Sequence, residues 1–274
     1  MAKNFFRDKV VLITGASSGI GEELAQQLGQ AGAKLTLTAR RVDLLEALAK
    51  KIAASGAPKP LVVQCDVTQD ADLSRAVSEN MRQWGKLDVV IANAGFGVVG
   101  AFKNLTVEDY RLQFETNVFG VLRTIYAALP EVEKAEGNIV IVGSVAGWVA
   151  SPGGSPYAMS KFALRALANA ITPELRSSNI KVTLISPGFV ASDIRRVDNQ
   201  GKVHSGAKDP IPMWLIMPTD TAVRQILRAV ARGKREAIIT GHGKIFVFLQ
   251  RFMPWTLRLA AIRMAKVRYR PEPR

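Results

Sequence analysis

Sulfur and imidazole are scarce in this chain, and each shortage closes off a class of function. Cys65 is the only cysteine among 274 residues, so no internal disulfide can form, which suits a reducing cytosol. It ends an apolar run and is expected to be packing rather than a reactive thiol. The two histidines, His204 and His242, have no carboxylate or cysteine at ligand spacing, so no metal site is expected. No uncharged apolar stretch approaches the roughly 20 residues needed to span a bilayer. Residues 1–9 carry no apolar core, so a cleavable signal peptide is not expected and the chain reads as cytoplasmic. Acidic residues are few as well: 23 Asp and Glu against 37 Lys and Arg leave a net charge of +14. Such a balance attracts polyanions in general. No nucleic-acid-binding motif accompanies it, and a nucleic-acid partner is not expected.

Half of that charge sits at one end. Residues 244–274 hold eight basic residues and one acidic one, so +7 falls there, interleaved with Phe246, Phe248, Phe252, Trp255, Leu259, Ile262 and other large apolar side chains. Basic residues alternating with aromatics and aliphatics suit a segment lying in an anionic membrane interface. The competing expectation is that this tail packs on another subunit of a homo-oligomer, a dimer or tetramer. The chain therefore divides into a body, 1–243, and a basic, apolar C-terminal extension, 244–274.

In the body, Tyr157 and Lys161 stand four residues apart in S-P-Y-A-M-S-K, and Ser144 lies thirteen residues upstream of the tyrosine. Positions i and i+4 of a helix share a face, with β-carbons roughly 5–6 Å apart, so a phenol and an ammonium would project into one site. A tyrosine working as acid and base near neutrality needs its pKa of about 10 lowered by roughly 3 units, or about 4 kcal/mol. An exposed ion pair supplies only about 0–1 kcal/mol. The lysine is thus expected to act in a partly desolvated cleft, helped by a further positive charge.

Val10-Val11-Leu12-Ile13 is a β-branched apolar run of the kind buried in a parallel sheet. T-G-A-S-S-G-I-G (14–21) follows it directly, and then an amphipathic helix over 22–31. Strand, glycine turn and helix form the context of a dinucleotide site, with the helix N-terminus offering N–H groups to a pyrophosphate. Further strands are expected at 35–38, 61–64, 89–92, 139–142, 182–185 and 237–240. Helices are expected at 44–54, 71–84, 107–129, 157–176 and 219–232. This alternation without a polar linker predicts one α/β domain, a Rossmann-like doubly wound parallel sheet. The irregular 189–218 stretch reads as a substrate lid.

Taken together these segments resemble the short-chain dehydrogenase/reductase (SDR) family, over about residues 9–194. The glycine spacing G-x-x-x-G-x-G, Asn93-Ala94-Gly95 after a strand, Asn117, Ser144, Tyr157, Lys161 and Pro187-Gly188 all fall in the family's order. The resemblance implies an oxidoreductase interconverting a carbonyl and a secondary alcohol through a catalytic tetrad. Tyr157 exchanges the proton, Ser144 holds the substrate oxygen, Lys161 tunes the tyrosine and binds the nicotinamide ribose, and Asn117 organises a proton-supplying water chain. It implies a nicotinamide dinucleotide contacted by Gly15, Ser17, Ser18, Gly19, Ile20 and Gly21 of the turn, and by Tyr157 and Lys161. Asp66 and Val67 would lie at the adenine, Asn93, Ala94 and Gly95 beside the cofactor, and Pro187, Gly188, Val190 and Ser192 near the nicotinamide. Asp66 is also placed for local capping with Thr68 and Asp70 nearby.

Arg40-Arg41 after the second strand, where an acidic residue would bind the ribose 2′-hydroxyl, predicts NADP(H), with Arg40 the contact to a 2′-phosphate. Phe96, Val98, Val99, Trp148, Val149, Phe189, Ile211, Met213, Trp214 and Ile216 are candidate substrate walls and favour a hydrophobic, lipid- or steroid-like compound. The competing class is a non-catalytic NADP(H)-binding sensor or membrane-associated scaffold; an intact tetrad argues against it.

Overall fold

Successive side chains of the central strands turn to opposite faces of one sheet, and both sets are apolar. In β1 (Val10–Thr14), Val11 and Ile13 enter one core while Val10 and Leu12 enter the other. This is the signature of a parallel sheet covered on both sides. The computed structural model describes residues 2–192, 199 and 211–268. Its remaining strands are β2 (Lys34–Ala39), β3 (Leu61–Gln64), β4 (Val89–Ala92), β5 (Asn138–Val142), β6 (Lys181–Ser186) and β7 (Glu236–Ile238). All six neighbouring pairs are parallel, in the order β3-β2-β1-β4-β5-β6-β7.

Helices α2 (Gly19–Gln30), α3 (Val42–Ala54) and α8 (Thr219–Ala231) cover one face through Leu24, Leu28, Leu45, Ile52, Ile226 and Val230. The short α1 (Ala2–Phe6) joins this side through Phe6. On the other face α4 (Asp70–Trp84), α6 (Gly120–Lys134) and α7 (Ser155–Glu174) contribute Val77, Ile125, Val132 and Leu164. Strand order reverses between β1 and β4, and at such a switch point the diverging chains open a crevice beyond the carboxyl ends of the strands. The expected doubly wound architecture is therefore the one found.

Two local departures from the expected elements bear on function. The helix expected over 107–129 is present and runs on to Lys134, but it contains a π-helical turn, Glu115–Phe119, between α5 (Val107–Phe114) and α6. Asn117 sits in that turn with its amide bonded to Phe96, and π turns often mark functional sites. The last strand stops at Ile238 rather than 240, because Thr240 caps α9 (Gly241–Phe252), its hydroxyl accepting from Gly243 N at 3.2 Å. The expected boundary at 243/244 thus falls inside α9. After a break at Met253 the chain continues as α10 (Pro254–Arg268), bent from α9 by 112°. Among the described residues no single helix is long and apolar enough to cross a membrane.

Candidate active site

The glycine turn leaves β1 with Gly15 at φ +67° and Gly19 at φ +58°, backbone conformations that side chains other than glycine rarely adopt. A β-carbon at Gly15 would lie 2.7 Å from Ala94 Cα, so the turn is pressed against the segment that follows β4. Asn93 latches the two together, its amide donating to Thr14 O (2.9 Å) and Gly15 O (3.1 Å), while Thr14 Oγ1 accepts from Asn93 N and Ala94 N. Ser18 is the N-cap of α2, yet its hydroxyl makes no cap. Instead Arg41 Nη2 donates to Ser17 Oγ (2.9 Å) and Ser18 Oγ (3.0 Å). The first N–H groups of α2, which have no carbonyl partner within the helix, are left uncapped at the crevice, the arrangement that receives an anion.

At the other end of the crevice the acid–base residues converge. Ser144 caps a 3-10 turn, Val145–Gly147, accepting from Ala146 N at 3.1 Å, with its hydroxyl 3.5 Å from Pro187 O. Gly153 (φ +81°) and Pro156 set the entry to α7, and Tyr157 in its first turn lies against Gly97. One turn on, Lys161 is 6 % exposed, with Nζ 3.0 Å from Val142 O and 5.6 Å from the Tyr157 ring centroid. Burial pulls its pKa down to about 8. Asn117 is fully buried behind this group. It accepts from Phe96 N (3.1 Å) and donates to Phe96 O (3.0 Å) and Ser160 Oγ (3.2 Å).

One cleft of about 490 Å³ joins the two ends. Gly15, Ser17, Ser18, Gly19, Ile20, Gly21, Arg40, Asp66, Val67, Asn93, Ala94, Gly95, Ser144, Tyr157, Lys161, Pro187, Gly188, Val190 and Ser192 all line it. Asn117 does not line the cleft itself but bonds Phe96 and packs against Gly95, which do. Asp66 makes the local contact expected of it, Oδ1 accepting from Thr68 N (3.0 Å) and Thr68 Oγ1 (2.9 Å), but α4 takes Gln69 as its N-cap. Cys65 is buried, and burial with the nearby Asp72 and Asp66 pushes its thiol up to about 12, so it stays protonated. Of the ten expected substrate-wall residues only Phe96 lines this cleft. Val98 is fully buried, Trp148 lies under the Arg165 guanidinium at 3.2 Å, and Met213 and Trp214 are 88 % and 82 % exposed. Most of the 189–218 stretch, with His204, lies outside the described residues. Its ends are paired, Met217 N donating to Phe189 O (2.9 Å) and Ala191 N to Met217 O (3.0 Å).

The family model for short chain dehydrogenases matches residues 9–202. The chain belongs to that family. It is 34% identical over 245 residues to dehydrogenase/reductase SDR family member 7B of Mus musculus, covering 87% of this chain and 75% of that one. To 11-beta-hydroxysteroid dehydrogenase 1A of Arabidopsis thaliana it is 38% identical over 199 residues, 72% of this chain and 56% of the plant protein. Among solved structures, a short-chain dehydrogenase/reductase from Mycobacterium marinum superposes with a TM-score of 0.78 at 28% identity, covering 89% of this chain and 99% of that one. An alcohol dehydrogenase from Thermococcus sibiricus, complexed with 5-hydroxy-NADP, superposes at 0.74 with 27% identity, covering 85% and 97%. The chain is thus an SDR oxidoreductase acting between CH–OH and C=O groups with a nicotinamide cofactor.

Three residues of this SDR site escaped sequence reasoning. Gln113 is fully buried and holds the same loop as Asn117, its Oε1 accepting from Val98 N (2.6 Å) and its Nε2 donating to Phe96 O (2.9 Å). Its signal was available: it lies four residues before Asn117, on the helix face that meets the loop. Arg41, treated as secondary to Arg40, is the arginine tied to the glycine turn. His242, considered in the sequence only as a metal ligand, bonds the segment after β6, and nothing in its sequence neighbourhood announces this.

Proposed function

We propose that this SDR is an NADP(H)-dependent carbonyl reductase and alcohol dehydrogenase working on hydrophobic substrates. The observation that carries this reading is the Lys161 ammonium, buried at the cleft with no carboxylate beside it among the described residues. Val142 O takes one of its three N–H donors. A buried charge so sparsely partnered is costly, and the hydroxyls of a bound ribose are suitable acceptors for the other donors. The uncapped N-terminus of α2 offers its N–H groups to a pyrophosphate, and the second oxygen of Asp66 remains for an adenine amine. A nicotinamide dinucleotide bound here supplies or accepts the hydride. In the reducing direction Tyr157 gives its proton to the carbonyl oxygen as the carbon receives hydride, and Ser144 donates a hydrogen bond to that oxygen. Asn117, through Phe96 and Ser160, shapes the route by which the proton is replaced. Following NADPH absorbance against a panel of apolar ketones and aldehydes tests the reading; no turnover with any of them, at saturating NADPH, counts against it.

Cofactor choice rests on the paired arginines. Arg40 lines the cleft and is exposed, while Arg41 is engaged by the two serines, which leaves Arg40 the freer to take a 2′-phosphate. A hydrogen-bonded charge of this kind is worth about 1.5–3 kcal/mol. Arg40→Asp is therefore expected to move the NADP(H)/NAD(H) ratio of kcat/KM by roughly 10- to 100-fold toward NAD(H). An unchanged ratio would remove Arg40 from the site.

Support for an apolar substrate comes from the hydroxysteroid names of plant relatives and from a tail suited to a lipid surface. Ile245, Phe248, Phe252, Trp255, Leu259, Ile262 and Met264 are all exposed, and Arg251, Arg258 and Arg263 stand among them in solvent. Apolar and basic side chains are mixed around α10, and among the described residues no core covers the exposed apolar ones. An anionic bilayer supplies both the hydrocarbon and the charge, at about 1 kcal/mol per basic residue near the surface. The full chain is expected to float with phosphatidylserine vesicles at low salt and far less with phosphatidylcholine. Reversing Arg251, Arg258 and Arg263 to Glu is expected to reduce that binding at least about tenfold; equal flotation of the two proteins would exclude the surface. The exposed Leu112, Phe119, Met159 and Phe162 on α5, its π turn and α7 support self-association as a dimer or tetramer.

A further inference from the structure

The first turn of α9 braces the cofactor cleft from outside it. Phe189 N donates to His242 Nε2 at 2.9 Å, and the two rings stack at 5.0 Å between centroids with 22° between planes. Phe246, one turn along α9, meets the imidazole edge-on at 6.1 Å. Packing is so close that a β-carbon on Gly188 would collide with Thr240 Oγ1 and His242 Nε2. Thr240 Oγ1 lies 3.1 Å from the same imidazole nitrogen while capping α9. Gly243 completes the brace, since a β-carbon there would come within 2.7 Å of Val145 Cγ2. Val145 follows Ser144, and its N–H donates to Pro187 O at 2.8 Å. The 145–147 turn and the 187–190 turn, which carry the cleft residues Ser144, Pro187, Gly188 and Val190, are therefore held by one helix end.

We propose that His242 is a positioning residue for the reaction: its unprotonated Nε2 accepts the Phe189 N–H and fixes the 187–190 turn against the cofactor. The inference rests on the NADP(H) reading above. An imidazole that accepts at Nε2 carries its proton on Nδ1. Burial favours the neutral form by holding the imidazole below its ordinary pKa. Loss of the acceptor leaves the half-buried Phe189 N–H without a partner and frees the turn that touches the dinucleotide. The effect belongs to cofactor affinity more than to the chemical step, because His242 touches no reacting atom.

The test measures NADPH Kd by fluorescence titration, with kcat at saturating NADPH and thermal midpoint alongside, for wild type, His242→Phe, His242→Gln and His242→Asn. Phenylalanine keeps the ring and its stacking but cannot accept. Glutamine reaches as far as Nε2, whereas asparagine falls short. The expected result is a rise in Kd of roughly tenfold for His242→Phe and His242→Asn, recovery to within about threefold for His242→Gln, and kcat little changed in all. Equal Kd for the glutamine and asparagine variants overturns the proposal even if the phenylalanine variant fails to fold. So does a Kd for a folded His242→Phe within about twofold of wild type. Failure of the wild type to bind NADPH would instead strike the cofactor reading itself.

Discussion

Tyr157→Phe is expected to lower kcat/KM for NADPH-dependent reduction of an apolar ketone by about a thousandfold while leaving the NADPH Kd within about twofold. The magnitude follows from what a positioned proton donor contributes, roughly 10²–10⁴-fold. The sparing of cofactor affinity follows from the local structure. The ring packs against Gly97, and that contact survives loss of the hydroxyl. Phenylalanine keeps the same ring volume, so the first turn of α7 has no reason to move. Measuring both quantities separates proton transfer from binding. Residual turnover above about one tenth of wild type would mean that another group supplies the proton. A parallel loss of NADPH affinity would mean that the phenol holds the cofactor rather than the substrate oxygen. A sensor or scaffold, by contrast, would show no turnover in the wild type for the substitution to remove.

What the sequence made legible was whatever depends on near neighbours in the chain. The strand at 89–92 was readable to the residue, because a strand buried on both faces is a continuous apolar run with sharp ends. The glycine turn was readable because it joins such a run to an amphipathic helix. Tyr157 and Lys161 were readable because i and i+4 share a helix face. The π turn at Glu115–Phe119 was not, since nothing in the local sequence marks it, and the Phe96 backbone that Asn117 meets from this turn lies 21 residues away. Arg41 was passed over for a related reason: which of two adjacent arginines faces Ser17 and Ser18 is decided by where β2 ends, not by composition. His242 reaches a partner 53 residues distant across two elements, and its local sequence says only that a helix begins. The substrate walls were the least legible. An apolar side chain near an active-site segment in sequence is as readily core, as Val98 is, or solvent-facing, as Trp214 is.

Lys161→Met is expected to stabilise the cofactor-free protein at pH 7 while removing nearly all activity. The ammonium is buried, and its pKa falls from 10.5 to about 8 through desolvation alone. A displacement of that size corresponds to about 3 kcal/mol of folding stability forgone wherever the group is protonated in both states. Methionine keeps the unbranched stem and gives up the hydrogen bond to Val142 O, worth about 1 kcal/mol. The net gain of about 2 kcal/mol is a rise in Tm of roughly 4–8 °C for a chain of this size. The sign of the pH dependence follows from proton counting. Between about pH 8 and 10.5 the unfolded chain binds more protons at this lysine than the folded one, so the wild type gains stability as pH rises through that window. Below about pH 8 the penalty is fully present, and the advantage of the methionine variant is largest there and shrinks toward pH 10.5. Scanning calorimetry across pH 6–10.5 reads this directly, and a variant that melts below wild type at pH 7 would show that the buried charge is not a destabilising one. Adding NADPH should then invert the order. A ligand that binds only the folded state raises Tm in proportion to its affinity, and in the wild type the ribose oxygens would meet the ammonium donors that Val142 leaves over. On this reading the same buried charge that weakens the empty protein would strengthen its hold on the cofactor, the exchange of stability for function expected at a preorganised site.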